Sequence, residues 1–430
     1  MIKEVLLQHK KEKESLLSKV YVSREKLQMA KKFLSSELVK VVKGPRRSGK
    51  SVFSLLLLKE TNFAYLNFDD ENLLPYSTDE ILTGIFEIYS KPRFLLFDEI
   101  QNLKGWELFI NKLQRRGYNV LITGSNARLL SQELATALTG RHLPIDIFPL
   151  NLNEFLKAKN FLLPPEKEWS IPEVKWQILH YVEAYLKEGG FPEVAVKNLE
   201  VKTYLETLFD AILLKDIVRR YNVRFPQKLY ELAQYLASNF SAQQTFTSIK
   251  NALNFSSVNT VEKYLSYLEE AYLVFFLKRF SYKVKEQYKA PRKVYIVDNG
   301  FIQATSFQFS PNIGRLMENL VFMELVKRGY QPNRQLFYYH TRNHKEVDLL
   351  LKEGTRVKGL LQVSYQRDDA SQESEKREKK ALLEASEELR CEDLMILTWD
   401  KEVIEKVGRK RLKWVPLWKW LLKPKFCNRL

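Results

Sequence analysis

Eight residues constrain this chain more than any others: Gly44-Pro45-Arg46-Arg47-Ser48-Gly49-Lys50-Ser51, set between the β-branched residues Val39, Val41 and Val42 and an apolar stretch over 52–58. The flanks predict strand, loop and helix, and the loop satisfies G-x-x-x-x-G-K-[ST] at every fixed position. Gly44 and Gly49 allow main-chain N–H groups to turn inward at the positive end of the following helix, which forms a cradle for phosphate oxygens. In such a loop the Lys50 ammonium reaches the β and γ phosphates, and the Ser51 hydroxyl ligates Mg²⁺. A glycine turn that happens to precede Lys-Ser is the plain alternative, and the strand and helix around it argue against it.

A second signal is the run Arg93-Phe94-Leu95-Leu96-Phe97-Asp98-Glu99-Ile100, apolar and then acidic, as in a buried parallel strand. Asp98 at its carboxyl end is placed to hold Mg²⁺, and Glu99 to polarise an attacking water. Asp69-Asp70-Glu71 also follows a strand-like run. The Asp98-Glu99 pair is preferred because its four preceding apolar residues are uninterrupted and because Val120-Leu121-Ile122-Thr123-Gly124-Ser125-Asn126 comes next. That further strand ends in small polar residues. Asn126, or Ser125 or Thr123 beside it, is expected to hydrogen-bond the attacking water or the γ phosphate, the alternative being a helix cap.

These residues resemble the AAA+ superfamily. Within it they are similar to a widespread group of archaeal and bacterial ATPases whose P-loop domain precedes a winged-helix region and a C-terminal restriction-endonuclease-like domain. Thr139-Gly140-Arg141 leading to Phe148-Pro149-Leu150, then Gly189-Gly190-Phe191-Pro192 and Tyr295-Ile296-Val297-Asp298-Asn299-Gly300, extend the likeness along the chain. The resemblance implies an α/β fold. It places an AAA+ P-loop domain with a parallel sheet and an N-terminal helical extension over 1–150, and a helical lid or connector over 151–224. A winged-helix-like region over 225–290 and a restriction-endonuclease-like α/β domain over 291–430 follow. It implies ATP and Mg²⁺ as ligands and ATP hydrolysis as the activity, with Glu99, Lys50, Asn126 and Arg141 as catalytic residues. In AAA+ proteins an arginine after the sensor strand reaches the nucleotide of a neighbouring subunit. Arg141 occupies that place, with Arg128 a competitor, so an oligomer is expected.

Between 226 and 280 three amphipathic helical patterns and a strand-like run suggest a winged helix-turn-helix, with 257–268 as recognition helix. Lys278, Arg279, Lys283, Lys285, Arg292 and Lys293, interleaved with Tyr282 and Tyr288, fit a phosphate-contacting wing. Duplex DNA is the favoured partner and a protein the alternative. Beyond, an amphipathic helix over 315–329 and three strands resemble a PD-(D/E)xK nuclease core, in which carboxylates hold Mg²⁺ and a lysine aids the nucleophile. Glu318 and Asp348 fit its first two places. Gln362 and Ser364 stand where an acid and the lysine belong, so a degenerate domain without cleavage is expected.

Composition adds a basic excess: the formal charge of +17 favours a polyanion partner. With 430 residues the chain is too long for one core. Cys391 and Cys427 lack metal-ligand spacing. No apolar run is long enough to span a bilayer and the first residues lack a signal-peptide core, so a cytoplasmic location and no membrane contact are expected.

Overall fold

The computed structural model describes residues 2–126, 140–197, 199–306, 312–365, 372–408 and 410–423. It contains two compact units, Met1–Leu150 with Glu270–Tyr272, and Asn151–Glu269 with Leu273–Leu430.

The first unit is built on five parallel strands: β1 (Val39–Lys43), β2 (Phe63–Asn67), β3 (Phe94–Asp98), β4 (Asn119–Gly124) and β5 (His142–Asp146), in the order β2-β3-β4-β1-β5. The pleat sends alternate side chains to opposite faces. Val39, Val41, Leu95, Phe97, Val120 and Ile122 therefore pack on one side with helices Thr78–Tyr89 and Trp106–Arg115. Val42, Phe94, Leu96 and Leu121 pack on the other with helix Lys50–Leu58. Burial on both faces is why these strands read as unbroken apolar runs. β5 escaped the sequence reading because it is an edge strand with polar ends and Pro144, which an edge tolerates.

Helices Leu152–Ala158, Pro172–Glu188 and Val201–Ala211 open the second unit. Then come helix Pro226–Ser238, β6 (Gln243–Gln244), helices Phe246–Ala252 and Val258–Glu270, β7 (Val274–Leu277) and β8 (Arg292–Ile296). The three strands form an antiparallel sheet in the order β6-β8-β7. Residues 292–296, which sequence reading grouped with the region after 290, are thus the central strand of this sheet. The charged Lys293 inside the run hid the strand.

A six-stranded mixed sheet completes the unit: β9 (Leu336–His340), β10 (Glu346–Glu353), β11 (Arg356–Ser364), β12 (Asp393–Thr398), β13 (Val403–Val407) and β14 (Lys410–Pro416), in the order β13-β14-β12-β11-β10-β9. Helix Ile313–Lys327 was expected to be amphipathic. Instead, every residue from Leu316 to Val326 is buried, and its polar side chains are paired internally. Asn319 accepts from Ile296 N at 2.8 Å and donates to Ile296 O at 2.9 Å, completing the edge of β8 as a strand would. Trp414, Trp418 and Trp420 are buried in β14 and helix Leu417–Leu422, so they serve the core. Among the described residues no helix is long and apolar enough to cross a membrane.

Candidate functional site

In a parallel sheet the loops that follow neighbouring strands gather at one edge, and here β4 lies between β1 and β3. The register sets Lys43 beside Gly124 and Phe97 beside Ile122, so the residues following all three strands converge. The 44–51 loop leaves β1, Asp98 ends β3, and Thr123 to Asn126 end β4.

The loop is sharply turned and packed close against the chain after β5. Gly44 has φ 152°, and a Cβ there would fall 2.0 Å from Ile147 O. Arg47 at φ 62° and Gly49 at φ 92° turn the chain into the first turn of helix Lys50–Leu58. Ser48 Oγ and Ser125 Oγ are buried without a hydrogen-bond partner among the described residues, an arrangement that a ligand oxygen would satisfy. Lys50 is 4% exposed and donates to Pro45 O at 3.0 Å, within its own loop. Its ammonium also stands 3.8 Å from Glu99.

Asp98 is the hub of the polar contacts. Ser51 Oγ donates to its Oδ1 at 3.0 Å, Thr123 Oγ1 donates to the same oxygen, and Tyr65 OH lies 3.5 Å from Oδ2. Burial, and then the charge of Glu99, push the Asp98 carboxyl up to about 6, against the pull of Thr123, Ser51 and Lys50. A cation beside Ser51 and Asp98 would reverse that balance. The pair therefore fits Mg²⁺, whose charge offsets that of phosphates when it is bound. Glu99 sits at φ 49°, an uncommon backbone conformation for a non-glycine residue. Its N–H donates to Thr123 Oγ1 at 3.0 Å, and Gln101 donates to its carboxylate. Thr123, one of three residues the sequence offered for β4, is thus the one that ties β4 to both acids. Asn126 is buried, 1% exposed, just beyond the strand.

Sequence reading missed Arg24. Its guanidinium donates to Ser48 O at 2.9 Å and to Phe148 O at 2.6 Å, fastening the loop to the chain after β5. Nothing in the local pattern Ser23-Arg24-Glu25 signals this. Arg141 is exposed at the start of β5, where its carbonyl accepts from Val39 N at 3.2 Å. Val39 begins β1, so Arg141 stands about 13 Å of extended chain from the phosphate loop of its own sheet. Arg128 and Thr139 lie outside the described residues.

A family model described as "AAA domain" matches residues 36–156, and two domains of unknown function (DUF8612 and DUF4143) match 179–311 and 313–420. An uncharacterized protein of Methanocaldococcus jannaschii is 37% identical over 89% of this chain and 88% of its own length. The chain belongs to the same family as that protein, and its first unit is an AAA-type P-loop domain. Another member, an uncharacterized protein of Haemophilus influenzae, is 32% identical over 81% of this chain and 88% of its own length. Among solved structures, the Walker-type ATPase of Pyrococcus abyssi covers 67% of the chain and 99% of its own, at 17% identity and a TM-score of 0.44.

Proposed function

We propose that this protein binds and hydrolyses ATP with Mg²⁺, and that its nucleotide state governs the engagement of DNA by its second unit. The observation that carries the first half is the convergence of Lys50, Ser51, Asp98, Glu99 and Thr123 at the carboxyl ends of three parallel strands. The loop amides of 44–49 and Lys50 hold the phosphates, and Ser51 and Asp98 hold the metal. Glu99, aimed by its backbone bond to Thr123, takes the proton from water. Arg141, remote from its own loop and exposed, acts on the nucleotide of a neighbouring copy.

Two features of the second unit support DNA. The order helix, strand, helix, helix, strand, strand with sheet order β6-β8-β7 supports reading this region as a winged helix. Its wing, the segment between β7 and β8, exposes Tyr282 at 69% and Tyr288 at 63%, with Lys278 stacked 3.9 Å over the Tyr288 ring. Lys283, Lys285 and Lys289 are exposed beside them. Helix Val258–Glu270 contributes less charge: Asn259, Glu262 and Lys263 are exposed, while Ser257 caps the helix by accepting from Thr260 N at 3.1 Å. Tyr267 on that helix is stacked 4.0 Å from Tyr221. The wing is accordingly the main phosphate contact.

The test is steady-state ATP hydrolysis by wild-type and Lys50→Ala protein, with and without duplex DNA, at two salt concentrations. Turnover absent in the variant and stimulated by DNA less strongly at high salt is expected. Turnover in the variant equal to wild type would refute the ATPase. A rate indifferent to DNA would move the partner to a protein, and tight binding without turnover would make the chain a nucleotide-gated regulator.

A further inference from the structure

The nuclease-like resemblance of the C-terminal region implies a divalent cation held by Glu318 and Asp348. The side chains present do not fit one. Lys293, counted from sequence with the wing, is instead 1% exposed, and its ammonium points into the space between the acids. Its Nζ lies 2.7 Å from Glu318 Oε1, 3.1 Å from Asp348 Oδ1 and 2.5 Å from Glu346 Oε1. An ammonium has three N–H donors, and each of these has a carboxylate oxygen.

The acids are further committed. Tyr295 OH donates to Glu318 Oε1 at 2.6 Å and Val363 N donates to Asp348 Oδ2 at 3.0 Å. Gln243 Nε2 donates to Glu346 Oε2, with His340 Nε2 3.3 Å from the same oxygen. Gln362, standing where a third carboxylate is required, uses its Oε1 to accept from Asp348 N at 3.3 Å. Among the described residues, no three His, Cys, Asp or Glu side chains are arranged to hold a metal ion. A divalent ion brought to this centre would sit against the Lys293 ammonium, which already fills the space between the acids.

We propose that Lys293 is a built-in cation standing in for the metal. The centre is then a metal-free ionic tie between β8, helix Ile313–Lys327 and β10. Its cation comes from outside the nuclease-like core, on the middle strand of the three-stranded sheet, so the tie joins the wing-bearing motif to the six-stranded sheet. Removing the ammonium leaves the buried acids Glu318 and Asp348 and the half-buried Glu346 without the cation they share, and a divalent ion takes its place.

The experiment counts bound Mn²⁺ by electron paramagnetic resonance on the full, nucleotide-free chain. An Asp98→Asn background keeps the first unit's acid silent. With Lys293 present, no Mn²⁺ is retained at this centre, the melting temperature does not respond to millimolar Mn²⁺, and plasmid is not cut. Lys293→Met gains one bound ion and a Mn²⁺-dependent rise in melting temperature, and adding Asp348→Asn removes both. The proposal is overturned if the Lys293-bearing protein holds Mn²⁺ that Asp348→Asn abolishes, or if folded Lys293→Met holds none. Should Lys293→Met fail to fold, the Mn²⁺ response of the Lys293-bearing protein decides alone: a flat melting temperature supports the proposal and a rise that Asp348→Asn removes overturns it.

Discussion

Gly189 and Asp298 meet so closely that a Cβ on the glycine would lie 1.6 Å from Asp298 Oδ1. The aspartate accepts from Gly190 N at 2.8 Å through Oδ2 and from Gly300 N at 2.9 Å through Oδ1. Two sequence landmarks over a hundred residues apart thus form one contact. The glycine pair is buried and pinned. Gly189→Ala meets both a positive φ of 77° and a fixed carboxylate, and should cost about 3 kcal/mol in urea denaturation. Gly354→Ala, at φ 57° but in open space, should cost only about 1 kcal/mol.

Glu99→Gln keeps the shape of the side chain and removes its basicity. Nucleotide binding, followed with a fluorescent ATP analogue, should persist while turnover falls by about 100-fold or more. Unchanged turnover would move the base elsewhere.

Asp98 has its folded carboxyl raised to about 6 from an ordinary 3.8. Unfolded chains shed this proton first, so its contribution to stability is full below pH 4 and declines as pH rises through 6. Binding of Mg²⁺ with nucleotide requires the ionised form and should run the other way, weakening as pH falls below 6. Calorimetry in buffers of different ionisation heat should detect about half a proton released from this group per nucleotide bound near pH 6, and Asp98→Asn should abolish that share of the release.

Burial likewise raises the Glu318 carboxyl to about 8, against the pull of Lys293. Its contribution to stability is greatest below the ordinary 4.5 and is lost as pH rises toward 8. Melting temperatures of Glu318→Gln should therefore fall less between pH 5 and 8 than those of the wild type. A parallel fall in both proteins would place the proton on another group.

Arg141→Ala should bind nucleotide normally and hydrolyse it about 1,000-fold more slowly. Mixing it with Lys50→Ala, which is inactive but retains the arginine, should restore turnover. Failure to restore it in an assembly shown to exchange subunits would assign Arg141 to the surface.

The local parts of this structure were legible from sequence and the distant pairings were not. The strand, loop and helix around Lys50 declare themselves because glycine spacing and apolar runs lie within twenty residues. Asp98 and Glu99 were legible for the same reason. The position of β4 between β1 and β3, which makes Thr123 the link to both acids, is a property of strand order and leaves no trace in the local pattern. Lys293 shows the limit most sharply. Beside Arg292 and the lysines of 278–289 it reads as a surface cation, and only its partners at 318, 346 and 348 reveal a buried one. His142 to Asp146 lacked the apolar signature of a strand because one side of β5 has no neighbour.

Arg24 has a bearing on where the first unit begins. The AAA-type pattern starts at residue 36, yet Arg24 holds Ser48 O and Phe148 O, Lys26 holds Asp146 O at 2.7 Å, and Leu6 is fully buried in the core. Cutting the chain at 36 would strip three carbonyls of their donors and open a hole under the sheet. The folded unit reaches further back than the matched domain, and the 44–51 loop is steadied by a stretch of polypeptide that lies before residue 36.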